Sequence, residues 1–285
     1  MATATPVDRL GPGDHACLTF SDPEERLDIL ARFVADGLRR GERVICYTAA
    51  VPVHDLAWEL RERTGAGDDD PLAVRRSEQW WEGAGPDAKV MVKRLADELA
   101  RAVDEGRAGL RVAADMCWAA RPQANAEQVL AFESEVGTLF AGGRLTAICE
   151  YDRESFDPVT LAYAARVHPR TVAARVYHED PVLRICRQHV PPGVRAAGEL
   201  DRTRAEALGY ALAEAVRLDH DVHLNLNHLR SLDAGAAAVI VRTAAGLPAS
   251  RHMVVVCGAP VDRALAAAGA ADVPNLRVLA RPAER

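Results

Sequence analysis

Aromatic residues are scarce in this chain, at 5% of 285 positions, while alanine is abundant, so its helices are expected to pack closely on small side chains. No uninterrupted apolar run approaches the roughly 20 residues that a membrane-spanning helix needs. The opening segment, Met1 to Leu10, has no apolar core of the kind a secretory signal carries. Six cysteines stand singly at positions 17, 46, 117, 149, 186 and 257, with no Cys-x-x-Cys pair. That pattern excludes a disulfide framework and predicts a reduced, cytoplasmic protein. A formal net charge of −6 removes the continuous basic face of a general nucleic-acid binder, although 35 Lys and Arg leave room for a local patch.

The usual catalytic motifs are missing as well. There is no Gly-x-x-x-x-Gly-Lys-Ser/Thr loop, so a nucleotide-hydrolysing protein would lack both its phosphate cradle and its lysine. No Gly-x-Gly-x-x-Gly follows an expected strand, and no Gly-x-Ser-x-Gly elbow occurs. Asp152 and Asp157 could do acid–base work, but Asp157-Pro158 reads better as an N-cap followed by a helix-starting proline. His15, Cys17, Cys149 and His168 could converge in a fold, yet their spacing matches no standard zinc pattern. The expectation is therefore a non-enzymatic protein with no cofactor and no metal.

What is present alternates strand and helix. Short strands are expected at Ala16–Phe20, Val44–Thr48, the start of Leu72–Trp81, Leu110–Ala114 and Leu145–Cys149. A last one spans Thr171–Tyr177. Between them lie helices opened by Asp22-Pro23 and closed at Gly41, then at Val53–Arg63, Asp87–Glu105, Ala126–Phe140 and Pro158–Val167. Such alternation with short loops implies an α/β fold whose first part is a mainly parallel sheet with helices on both faces. The stretch His178 to Pro192 holds three prolines and little helical periodicity, and is read as the junction of two domains, 9–180 and 181–285. In parallel sheets ligands bind beyond the carboxyl ends of strands. Here those ends offer Phe20, Thr48, Asp115, Trp118, Tyr151 and Asp152, together with His15, Cys17 and Cys149 on neighbouring strand positions, as candidate ligand contacts. The bland alternative is that the aromatics and thiols are simply core.

Several spaced pieces are more specific than any one motif. Gly13-Asp14-His15-Ala16-Cys17-Leu18-Thr19-Phe20, Gly41-Glu42-Arg43, Asp115-Met116-Cys117-Trp118, Cys149-Glu150-Tyr151-Asp152, Phe156-Asp157-Pro158 and His168-Pro169 together resemble the MEDS domain, the methanogen/methylotroph DcmR-type sensory domain. The resemblance implies a sensor for small organic, hydrocarbon-like molecules.

Further on, Gly198-Glu199-Leu200-Asp201 precedes an apolar helix. Val222 to Leu226 follows as a strand, and Leu232-Asp233-Ala234-Gly235 opens another helix. This order resembles the STAS domain of sulfate transporters and anti-sigma-factor antagonists, a smaller α/β module. Where antagonists carry Asp-Ser-Ser/Thr-Gly, this chain has Asp233-Ala234-Gly235-Ala236, with no hydroxyl to take phosphate. The resemblance implies that Asp201, Asp233, Ala234 and Gly235 face a protein partner, an anti-sigma factor or a histidine-kinase-like regulator. Control would then come from ligand occupancy of the first domain, passed through the junction. The competing account is a ligand-free assembly scaffold whose first domain is a degenerate ATPase-like fold. Oligomeric state stays open, a homodimer included.

Overall fold

The computed structural model describes residues 5–81, 86–120 and 126–281. The chain divides into two compact units, residues 1–173 and 174–285.

The first unit strings together β1 (His15–Phe20), α1 (Pro23–Arg39), β2 (Arg43–Thr48), α2 (Val53–Thr64) and β3 (Leu72–Arg76). It continues with α3 (Ala88–Asp104), β4 (Leu110–Asp115), α4 (Ala126–Val136), β5 (Leu145–Asp152), α5 (Pro158–Val167) and β6 (Arg170–Val172). Its six strands lie in the order β3-β2-β4-β5-β1-β6, every pairing parallel. Strands β4 and β5 sit at the centre and are buried almost throughout, their polar members Arg111, Asp115, Thr146 and Glu150 included. Asp22 caps α1 by accepting from the Glu24 and Glu25 amides, with Pro23 at the first helical position. Gly41 turns the chain from α1 into β2 at φ +73°, a conformation a side chain rarely adopts. The helix expected over Ala126–Phe140 ends early: α4 stops at Val136, and from Gly137 the backbone tightens into 3-10 turns.

The second unit comprises β7 (Val176–Glu179), β8 (Leu183–Gln188), β9 (Gly193–Leu200), α6 (Ala205–Leu218), β10 (Val222–Leu226) and β11 (Leu229–Leu232). It closes with α7 (Ala234–Ala245), β12 (Met253–Gly258), α8 (Ala259–Ala267) and β13 (Leu276–Arg281). Its sheet runs β13-β12-β10-β9-β8-β7, with β11 also pairing β9. Strand β8 pairs antiparallel with both β7 and β9 and the other pairings are parallel, giving a mixed sheet. The inward faces of α6 and α7 are largely alanine and leucine, including Ala211, Ala215, Ala236 and Ala237, which lets the helices lie close to the sheet.

Two expectations are corrected here. The single strand at Thr171–Tyr177 is in fact two. Residues 170–172 pair with β1 in the first sheet, whereas 176–179 pair with β8 in the second. Strand propensity is the same on either side of Arg175, so the sequence gives no sign that the partner changes. His178 to Pro192 is likewise no linker but part of the β7–β8 hairpin and the loop into β9. Asp180 forms its turn by accepting from the amides of Val182 and Leu183, and Pro181, Pro191 and Pro192 punctuate turns. The division between units thus falls at Ala173/Ala174, seven residues before the expected one.

Candidate functional site

At the carboxyl ends of β4 and β5 a buried arginine meets two carboxylates. Arg26, on the inner face of α1, donates from Nε to Glu150 Oε2 at 2.5 Å, and its Nη2 lies 3.5 Å from Asp115 Oδ2. Asp115 is further tied by the amides of Ala49, Ala50 and Cys117, at 3.0, 3.1 and 2.9 Å. Burial pushes the Glu150 carboxyl up, partly offset by Arg26. Burial and the Asp115 carboxylate push the Cys117 thiol up to about 12. Arg26 also lies over the Phe20 ring, 5.1 Å from its centroid. Thr48 serves its own turn, donating to the Val51 carbonyl. Asp152 accepts from the Glu154 amide and Ser155 Oγ. The polar groups expected to greet a ligand at this edge are therefore occupied by the protein itself.

An aromatic group lies beside them. Tyr47 stacks on Trp80 with centroids 4.3 Å apart, Trp80 meets Phe132 at 5.5 Å, and Trp81 meets Trp118 at 5.2 Å. Trp80 and Trp118 are each 1% exposed, and their indole Nε1 donors have no hydrogen-bond partner among the described residues. Buried indoles usually find one, so two unmet donors in one aromatic wall call for an explanation. Trp81 and Cys117 are half-buried and bring this wall to the surface.

The densest constellation is elsewhere, at the amino end of β1. His15, Glu133 from α4, Cys149 from β5 and His168 at the end of α5 are all buried, and their ligand-type atoms lie within 4.8 Å of one another. His15 Nε2 is 3.5 Å from Cys149 Sγ and 3.6 Å from Glu133 Oε2, and His168 Nε2 is 3.4 Å from that same oxygen. The His15 ring is clamped between Phe140, stacked at 4.4 Å, and His168 at 4.2 Å. Burial, helped by His168, holds His15 down to about 3, and burial pushes the Glu133 carboxyl and the Cys149 thiol up. Tyr151 donates to the other oxygen of Glu133 at 2.9 Å. Cys17, on the same side of β1, turns its Sγ to Thr171 Oγ1 at 3.9 Å.

In the second unit Asp233 caps α7, accepting from the Ala236 amide at 2.8 Å. Ala234 is exposed at the first helical position, and Gly235 lies against Arg202. Asp201 sits nearby in a turn of its own, accepting from the amides of Thr203 and Arg204 and pairing with the Arg204 guanidinium. All four candidate partner contacts thus border one helix entrance.

The family model of the MEthanogen/methylotroph DcmR Sensory domain matches residues 14–169, more than half of the chain. The chain belongs to the MEDS family. Behind its MEDS domain, the Mlab-type STAS domain model matches residues 184–278. None of the curated proteins matches the chain. Among solved structures it is similar to an uncharacterized protein of Pyrococcus horikoshii in complex with an unknown peptide, at 16% identity and a TM-score of 0.45, over 63% of this chain and 85% of that one. It is also similar to the flagellar accessory protein FlaH of Methanocaldococcus jannaschii, at 8% identity and a TM-score of 0.43, over 63% and 79%. A KaiC-like protein of Pyrococcus horikoshii aligns at 13% identity and a TM-score of 0.40, again over 63% and 79%.

Within the MEDS unit the nine candidate ligand contacts fall into three places. Phe20, Thr48, Asp115 and Asp152 lie at the carboxyl edge, Trp118 in the aromatic wall, and His15, Cys149 and Tyr151 around Glu133, with Cys17 set apart. Glu133 was not singled out from sequence. It is one of several acidic residues on an amphipathic helix, and only its 1% side-chain exposure distinguishes it.

Proposed function

We propose that this chain is a non-enzymatic signalling regulator in which the MEDS unit takes up a small, hydrocarbon-like organic molecule and the STAS unit binds an anti-sigma factor or a histidine-kinase-like regulator. The succession of a sensory and a STAS domain carries this reading. The aromatic residues support the choice of ligand, since Trp80 and Trp118 are buried apolar faces, each with an Nε1 donor that has no partner among the described residues. The β1–α1 connection argues against nucleotide chemistry. It is only Ser21-Asp22, and the amides at the entrance of α1 are already taken by the Asp22 carboxylate where a phosphate would need them. Control is assigned to the ligand because the α7 entrance holds no hydroxyl between Asp233 and Ala236. Thr243 is spent on the Val239 carbonyl inside the helix.

Isothermal titration of the full chain against a panel of small organic molecules, with Trp118→Ala as control, tests the input. Binding that Trp118→Ala abolishes supports it; no binding by the wild type favours the assembly scaffold instead. Full-chain capture of a partner, weakened by Ala234→Asp at the exposed α7 entrance, tests the output. Equal capture by that variant places the docking surface elsewhere.

A further inference from the structure

The cluster at His15 gathers four buried side chains with metal-ligand atoms, and its chemistry does not depend on the ligand reading above. His168 Nε2 and Glu133 Oε2 face each other at 3.4 Å, both buried and neither with a hydrogen-bond partner among the described residues. His168 Nδ1 lies 2.8 Å from the Ala164 carbonyl, which only accepts, so Nδ1 carries a proton and in the neutral imidazole Nε2 turns its lone pair toward Glu133 Oε2. A cation between the two atoms would satisfy both without burying an imidazolium. We propose that His15, Glu133, Cys149 and His168 together bind one zinc ion.

The donor set fits the ion in number, kind and charge. Four protein ligands of N, N, S and O type make a closed tetrahedral site. Bond lengths of about 2.0–2.3 Å set ligand atoms about 3.3–3.6 Å apart along the tetrahedron's edges. Three of the six separations are 3.4, 3.5 and 3.6 Å and the rest lie within 4.8 Å, so three edges already have ligand spacing and the remaining ones close on binding. Two neutral imidazoles, one thiolate and one carboxylate cancel the charge of a divalent cation, which removes the cost of leaving a net charge in a buried site. On binding, the Sγ–H bond of Cys149 is replaced by a sulfur–zinc bond and its proton leaves to solvent. Surrounding groups already hold the ligands in orientation: the Ala164 carbonyl fixes the His168 ring, Tyr151 holds the free oxygen of Glu133, and Phe140 stacks on His15. The ion joins strands β1 and β5 to α4 and the end of α5. Because Phe132, next to Glu133 on α4, packs on Trp80, zinc also fixes one side of the aromatic wall.

The sequence hid this site by its spacing. Its ligands are separated by 118, 16 and 19 positions along the chain, and they meet only because β1 and β5 are neighbours in the sheet.

The test uses the full chain purified from zinc-supplemented cells and dialysed against zinc-free buffer. Elemental analysis is expected to find about one zinc per chain. Cobalt substitution is expected to give the visible bands of a tetrahedral ion and a thiolate-to-cobalt charge-transfer band. That band should vanish in Cys149→Ser and persist in Cys17→Ser. Tyr151→Phe, which removes only a supporting hydrogen bond, should weaken zinc binding about ten- to hundredfold. Circular dichroism identifies any variant that fails to fold, and Glu133→Gln then serves as the second ligand variant, expected to lose retained zinc. Wild-type protein that retains no zinc, retains another first-row ion in preference, or gives a charge-transfer band insensitive to Cys149→Ser overturns the assignment.

Discussion

Replacing Arg26 by methionine tests whether the polar edge of the first sheet is a structural brace or a solvated receptor surface. Arg26 is 6% exposed and is the cation beside two carboxylates that are themselves buried, Glu150 and Asp115. Asp115 keeps three backbone amides without it, so the loss falls mainly on Glu150. Breaking a buried pair from one side costs about 3–5 kcal/mol. Protonation sets a ceiling of its own. Keeping a carboxyl of ordinary value 4.5 neutral at about pH 7 costs about 3.4 kcal/mol, so the variant takes whichever route is cheaper and loses about 3 kcal/mol. That is a large share of the stability of an ordinary domain, about 5–15 kcal/mol. All four tryptophans lie in the first unit, so intrinsic fluorescence during urea unfolding follows that unit alone. The midpoint should fall by about 1–2 M. The sign with pH is fixed: Glu150 has its folded value raised, so the penalty is present above that value and fades as pH falls toward 4.5. Adding Glu150→Gln to Arg26→Met should restore at least half of the loss. A single variant within about 1 kcal/mol of wild type, or a double variant no better than the single, would refute the brace.

Further expectations are local. Asp233→Ala removes the α7 cap and should cost about 1 kcal/mol in the second unit's stability, whereas Asp233→Asn, which can still accept from the Ala236 amide, should cost a fraction of that in the same thermal or urea melt. Gly193→Ala should prevent the second unit from folding as described, because a Cβ there would stand 1.8 Å from the His223 carbonyl oxygen of the paired strand, and circular dichroism of the purified chain reads this directly. Cys117 is half-buried with its thiol pushed up to about 12, so iodoacetamide should modify it slowly at neutral pH and faster as pH rises; rapid labelling at neutral pH, mapped by mass spectrometry, would contradict the influence of Asp115.

Much of this protein was legible in one dimension, because the determining interactions are local. Asp22-Pro23 and Asp157-Pro158 announce α1 and α5, since a carboxylate capping free amides and a proline with preset φ act within one turn. Strand β2 declares its burial by the apolar run Val44-Ile45-Cys46-Tyr47, and the Asp233-Ala234-Gly235-Ala236 turn shows by composition alone that it holds no phosphate acceptor. Tertiary structure alone decided which sheet each strand joins, so β6 and β7 parted company although the chain between them carries no break in strand character. It alone assigned Asp115 and Glu150 to Arg26 instead of to open solvent. It also decided that Glu133, and not Cys17, completes the group around His15, because a helix packed on the sheet presents one buried side chain that no spacing in the sequence marks out. Capping and periodicity act over a few residues, whereas pairing and burial act between residues far apart in the chain, and only the folded packing brings those together.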